Sequence, residues 1–140
     1  MENKSNSILK RGKINFLRVL IMIGMFIPVS IFSQTVIEIQ VSPNILNLQS
    51  NGVVVTIHTN IPYAEVNAQT VTLNEVVIQS WKADNCGFFV AKFNMDEIKN
   101  IGLNIVEYNT LTLDGDKVTG GTFAGSEDVL VINNLPKGKN

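Results

Sequence analysis

The sequence predicts an all-β domain: a single antiparallel β-sandwich of Greek-key, immunoglobulin-like type with one short helix near residues 95–101. Three observations lead there. Apolar and polar residues alternate over short runs, the period-two pattern of half-buried strands. Gly, Pro, Asn and Asp punctuate those runs at fairly regular spacing, giving about seven or eight short strands. No segment alternates a strand with a long helix, as a parallel α/β sheet would.

The elements follow in chain order. Residues 35–41, T-V-I-E-I-Q-V, put Ile37, Ile39 and Val41 on one face and Glu38 and Gln40 on the other, which predicts one strand. Ser42-Pro43-Asn44 breaks it. After a short run over residues 45–48, Asn51-Gly52 offers the positive φ of a tight turn. The run G-V-V-V-T-I-H-T then points Val53, Val55 and Ile57 inward and Thr56 and His58 outward. Over residues 70–81 Val71 and Leu73 share one parity, whereas Val76 and Ile78 take the other. A slip of one residue flips every side chain, so Asn74-Glu75 is predicted to be a turn or a bulge.

Residues 87–93 read as a strand with Phe89, Ala91 and Phe93 as its core stripe. Asn94-Met95-Asp96-Glu97 has the spacing of a capping box, opening a helix of about two turns that Gly102 closes. Three more strands, over residues 108–113, 117–123 and 129–133, are joined by predicted turns at Asp114-Gly115-Asp116 and Gly125-Ser126-Glu127. The final P-K-G-K-N reads as a frayed tail.

Ahead of this domain, residues 1–33 read as a secretory signal peptide. Lys4, Lys10, Arg11, Lys13 and Arg18 precede the apolar run V-L-I-M-I-G-M-F-I-P-V-S-I-F. That run is 14 residues long and contains Pro28 and Ser30, whereas a membrane-spanning helix needs roughly 20 apolar residues. Ser33 supplies the small side chain before a cut at Ser33/Gln34, and no cysteine stands close behind the run to take a lipid. The expectation is a secreted protein, periplasmic, surface-bound or extracellular, with no stable membrane span after cleavage, its mature part being a single domain over residues 34–140.

Cleavage changes the charge. It removes five of the 11 basic residues and one of the 12 acidic ones, leaving six lysines, no arginine and 11 carboxylates, a formal charge of −5. Clustered lysine and arginine carry nucleic-acid binding, so no nucleic-acid partner is expected. Cys86 is the single cysteine. Two readings stand for it: burial as a small hydrophobe, which free cysteines favour, or pairing with another chain after export.

The residues that could carry chemistry are few. S-W-K-A-D-N-C-G-F-F holds the single tryptophan and the single cysteine, and reads as a loop before a strand. A Cys86–His58 pair would need the imidazole to hold the thiol as thiolate, but His58, the one histidine, falls on an outward strand face. That scarcity leaves no zinc ligand set. Asp114 with Asp116, and Glu127 with Asp128, are read as turn residues rather than a glycosidase pair, although two acidic turns side by side would bind a cation weakly. The glycines of G-G-T-F-A-G lack the strand and long helix of a phosphate loop. Trp81, Tyr63 and Tyr108 are the aromatic candidates for stacking on sugar rings.

On these landmarks the chain resembles a group of uncharacterised secreted domains of bacterial envelope and extracellular proteins. The matching stretches are I-E-I-Q-V-S-P-N-I-L-N-L-Q-S-N-G-V-V-V-T-I, T-V-T-L-N, the phenylalanine strand ending at Phe93, and T-L-T-L-D-G followed by G-G-T-F-A-G-S. The resemblance implies a β-sandwich module and no agreed activity. Many such domains carry an acidic D-x-N-x-D-G loop before the phenylalanine strand; here the loop is Lys82-Ala83-Asp84-Asn85-Cys86-Gly87, too poor in oxygens for calcium, which takes about six to eight. The expectation is a non-catalytic module with no cofactor, acting on an envelope or extracellular protein or glycan. Its alternatives are a small carbohydrate-binding module using the three aromatics and an unrecognised hydrolase.

Overall fold

A computed structural model describes residues 33–135, which belong to one compact unit, Phe32–Asn140. The expected leader up to residue 32 and the tail from residue 136 lie outside the described residues. Ten strands are present among the latter: β1 (Gln34–Val36), β2 (Ile39–Ser42), β3 (Ile45–Asn47), β4 (Val54–Pro62), β5 (Val66–Leu73), β6 (Val76–Val77), β7 (Ser80–Ala83), β8 (Phe88–Asn94), β9 (Glu107–Lys117) and β10 (Thr122–Ile132). A 3₁₀ turn (Tyr63–Glu65) and one helix, α1 (Met95–Lys99), complete them.

The strands form two sheets. The first runs β1-β10-β9-β5-β6, with β3 beside β1 on the same edge of β10; the second runs β2-β4-β8-β7. Pairing is antiparallel except that β1 and β3 both lie parallel to β10, a departure from the wholly antiparallel expectation. One side of each sheet contributes to a common apolar cluster, with Val55, Ile57, Phe89, Ala91 and Phe93 from the second sheet and Val71, Leu73, Leu111, Leu113, Phe123 and Val129 from the first. Burying each large side chain of that set stabilises the domain by roughly 1.5–3 kcal/mol.

The run over residues 35–41 is not one strand. It pairs with β10 as β1, crosses between the sheets at Ile37-Glu38, and pairs with β4 as β2. Ile37 N still donates to Ala124 O at 2.9 Å, after which Glu38 N turns to the Asn60 side chain at 2.9 Å. Alternation persists through the crossing because both halves face the same core, with Ile37 and Val41 buried.

The change of parity between Leu73 and Val76 marks a turn: Asn74 (φ 45°) and Glu75 (φ 71°) connect β5 to β6. Asn74 is tied in by its amide, whose Oδ1 accepts from Thr112 N and whose Nδ2 donates to Thr110 O. The Phe89, Ala91 and Phe93 stripe is fully buried. Asn94 caps α1, its Oδ1 accepting from Asp96 N at 2.8 Å and Glu97 N at 3.3 Å. The helix is five residues long, shorter than expected, and Gly102 takes a positive φ beyond it.

Other expectations are corrected. The turn expected at Asn51-Gly52 falls earlier, at Leu48-Gln49, where Ser50 N donates to Asn47 O and the Asn47 side chain accepts from Gln49 N. Neither Asn51 nor Gly52 has a positive φ; Gly52 instead passes close to the Met95 methyl. Val53, expected inward, precedes β4 and is 70% exposed. β5 opens at Val66, ahead of the expected start at residue 70: Val66 to Gln69 alternate, but Val71 falls on the other parity, where the ladder to β9 shifts register between Asn67 and Thr72.

The largest correction concerns the end of the domain. Asp114-Gly115-Asp116 and Gly125-Ser126-Glu127 are not turns; β9 and β10 run straight through them, and the connection lies at Val118–Gly121. Three expected strands are thus two long ones. The glycines serve close approach: a Cβ on Gly115 would stand 2.9 Å from both Phe123 Cζ and Val71 Cγ2, and one on Gly125 would stand 2.6 Å from Ile37 O.

Candidate functional site

The S-W-K-A-D-N-C-G-F-F stretch folds as the β7–β8 hairpin, and its tip is built by Asp84. Asp84 Oδ1 accepts from Cys86 N at 2.8 Å and Phe88 N at 2.9 Å, while Gly87 N donates to Asp84 O at 3.1 Å. Gly87 sits at φ +84°, open to glycine without strain. An aspartate that satisfies its own turn is the ordinary use of the residue. Cys86 is a free, exposed thiol, so the expectation of burial is overturned: the turn holds its side chain out to solvent.

β7 is an edge of the second sheet, and all four of its residues are exposed. Because Asp84 N donates to Phe88 O, the alternation of an antiparallel ladder makes Lys82 and Ser80 exchange bonds with β8 and turns the backbone groups of Trp81 and Ala83 toward the open side. Trp81 stands opposite Ala91, on the core-facing side of the sheet, and is 38% exposed at the rim.

The three aromatic candidates are not assembled into one platform. Tyr63, in the 3₁₀ turn, packs on Phe89 with ring centroids 6.1 Å apart and is 40% exposed. Tyr108 lies in the other sheet, opposite Leu130 on its solvent side, and is 71% exposed.

His58 pairs with Val90 inside the second sheet, whereas Cys86 stands in the hairpin tip before β8 begins, and no hydrogen bond joins their side chains. Three of the four candidate carboxylates are engaged within the domain. Asp114 Oδ1 accepts from Thr72 Oγ1 at 2.7 Å, Asp128 Oδ1 from Thr110 Oγ1 at 2.6 Å, and Glu127 Oε2 from Val41 N. No set of three His, Cys, Asp or Glu side chains converges on a metal-sized space among the described residues.

Hollows among the described residues open to solvent. One of about 360 Å³ is lined by Asn67, Asp116, Lys117, Gly121 and Thr122 beside the β9–β10 connection. Another of about 220 Å³ lies by Glu38, Gln40, His58 and Asn60. Neither encloses a ligand as a pocket that buries most of its occupant does.

The sequence reads this stretch as a loop and does not show the edge strand Ser80–Ala83, because an edge is defined by the absence of a neighbour, which local sequence does not encode. Comparison of the chain with known protein families, with curated proteins and with solved structures finds no match.

Proposed function

We propose that this chain is a secreted, non-catalytic β-sandwich module of Greek-key, immunoglobulin-like type that acts by surface contact in the cell envelope or extracellular space. Its partner on this reading is an envelope or extracellular protein that adds a strand to an open edge. The observation that carries the reading is β7, an edge strand exposed along its whole length with the Trp81 and Ala83 backbone groups turned outward. Main-chain groups left free on an edge are a template for another chain.

The test is capture from the producing cell's envelope, with the protein as bait beside three variants. Ala83→Pro removes an outward N–H that no ladder bond uses, and Cys86→Ser removes the thiol. Capture of one defined protein by the wild type and by Cys86→Ser, lost with Ala83→Pro, supports edge addition. Capture that needs the thiol, or that ignores Ala83→Pro, overturns it. Glycan binding abolished by Trp81→Ala transfers the reading to a carbohydrate-binding module.

A further inference from the structure

The register sorts the strand charges by face. On the outward side of the second sheet, His58 and Lys82 flank the fully buried Val90 in one cross-strand row, and Lys92 stands in the next. Its strands carry no carboxylate, and the one carboxylate beside them on that side is Glu38, just ahead of β2 in the hollow by His58. On the solvent side of the first sheet, Asp114, Asp116 and Asp128 point outward from β9 and β10, opposite Ala124, Thr122 and Thr110, and no strand position there carries a lysine. The two remaining lysines among the described residues are engaged elsewhere: Lys99 Nζ donates to Ser50 O at 2.6 Å, and Lys117 Nζ lies 3.7 Å from Glu65 Oε2. A chain with nearly three carboxylates for each lysine in its described part has thus gathered its free cations on one face and a row of carboxylates on the other.

We propose that the acidic face of the first sheet docks on the basic face of the second sheet of another copy of this chain, so that the protein associates with itself head to tail. The inference shares the surface-contact reading but uses the sheet faces instead of the β7 edge, and so adds a second partner, another copy of the chain. Two different faces meeting make a heterologous contact, which does not close on itself and gives open chains of copies. The second sheet is about four strands wide and its longest strand about 30 Å, so each contact buries on the order of 450 Å² per copy. The sum over both copies, about 900 Å², falls below the roughly 1,200–2,000 Å² of standard specific interfaces, in the range of weak, reversible association. Exposed ion pairs contribute little each, so the contact is also salt-sensitive.

Sedimentation velocity on the protein as purified from its producing cell tests this. The weight-average sedimentation coefficient is expected to rise with concentration at about 20 mM salt and to return to the monomer value by about 0.5 M, where screening acts over only a few ångströms. The double variant K82E/K92E, negative on both faces, and the double variant D116K/D128K, positive on both, are each expected to stay monomeric, and an equal mixture of the two to associate again. Restored association on mixing is a result that a merely structural role for these residues does not produce. A monomer at every concentration in low salt overturns the proposal, as does association that neither pair of substitutions weakens. A monomeric chain that still captures another envelope protein sinks self-association alone and leaves the edge reading standing.

Discussion

Replacing Gly125 with alanine separates the strand seen here from the turn that its composition predicts. Gly125 lies within β10 without a positive φ, so an added methyl meets its neighbours rather than a forbidden backbone. An ideal Cβ would fall 2.6 Å from Ile37 O, 2.8 Å from Ile39 Cγ2 and 2.9 Å from Ile37 Cγ1. Carbon and oxygen ordinarily approach to about 3.3 Å, so the Ile37 carbonyl must retreat by roughly 0.7 Å. That carbonyl belongs to the crossing segment, which is pinned by the Ile37 N to Ala124 O bond and cannot rotate away as a side chain would. Overpacking of this kind costs about 1–3 kcal/mol, and the backbone clash puts Gly125→Ala near 3. Gly115→Ala meets two buried side chains instead, Phe123 and Val71, and is expected nearer 2 kcal/mol on the same scale. With a urea slope of about 1.5 kcal/mol/M, the midpoints fall by about 2 M and 1.3 M. In a turn with ordinary φ the same changes would stabilise by about 0.4–1 kcal/mol through the unfolded chain. The sign therefore decides: a midpoint that rises or holds for Gly125→Ala refutes the packing argument.

Three further outcomes are expected. Glu127→Ala strands the part-buried Val41 N–H and costs about 1–3 kcal/mol, whereas Glu127→Gln keeps an acceptor and costs less; urea denaturation of both separates the lost hydrogen bond from the lost charge. Val106, a β-branched residue at φ 61°, is strained, so Val106→Gly raises stability by about 1 kcal/mol in the same assay, provided its N–H keeps its bond to Val131 O. Cys86 reacts with a thiol reagent in the folded protein without denaturant, and Cys86→Ser shifts the thermal midpoint by less than about 2 °C.

Features set by neighbours in the chain were legible. The parity change between Leu73 and Val76 located a turn because one residue of slip inverts every face, and Asn94 announced the helix through bonds to residues two and three places on. The Phe89, Ala91 and Phe93 stripe needed only alternation. What escaped depended on distant partners. Gly115 and Gly125 sit among residues that also favour turns, and only Phe123, Val71 and Ile37 reveal that they are spacing glycines. The crossing at Ile37-Glu38 left no trace, because a segment that changes sheets while facing one core keeps its period. Of the candidate site, the loop character of residues 84–87 was readable, but the exposure of Cys86 and the sorting of charge by face were not. The sorting depends on which strands share a sheet.

The seat of β1 and β3 along β10 also sets a timetable. The opening strands of the domain take their hydrogen bonds from its closing strand, so during synthesis they have no lasting place until residues 122–132 exist. Such long-range pairing makes folding slow relative to a fold built from local contacts. Until then the apolar faces of the early strands stay uncovered, the state in which a nascent chain is most open to aggregation and to chaperones. The β4–β8 pairing needs no residue beyond Asn94 and can form well ahead, leaving β10 as the strand whose arrival closes the first sheet.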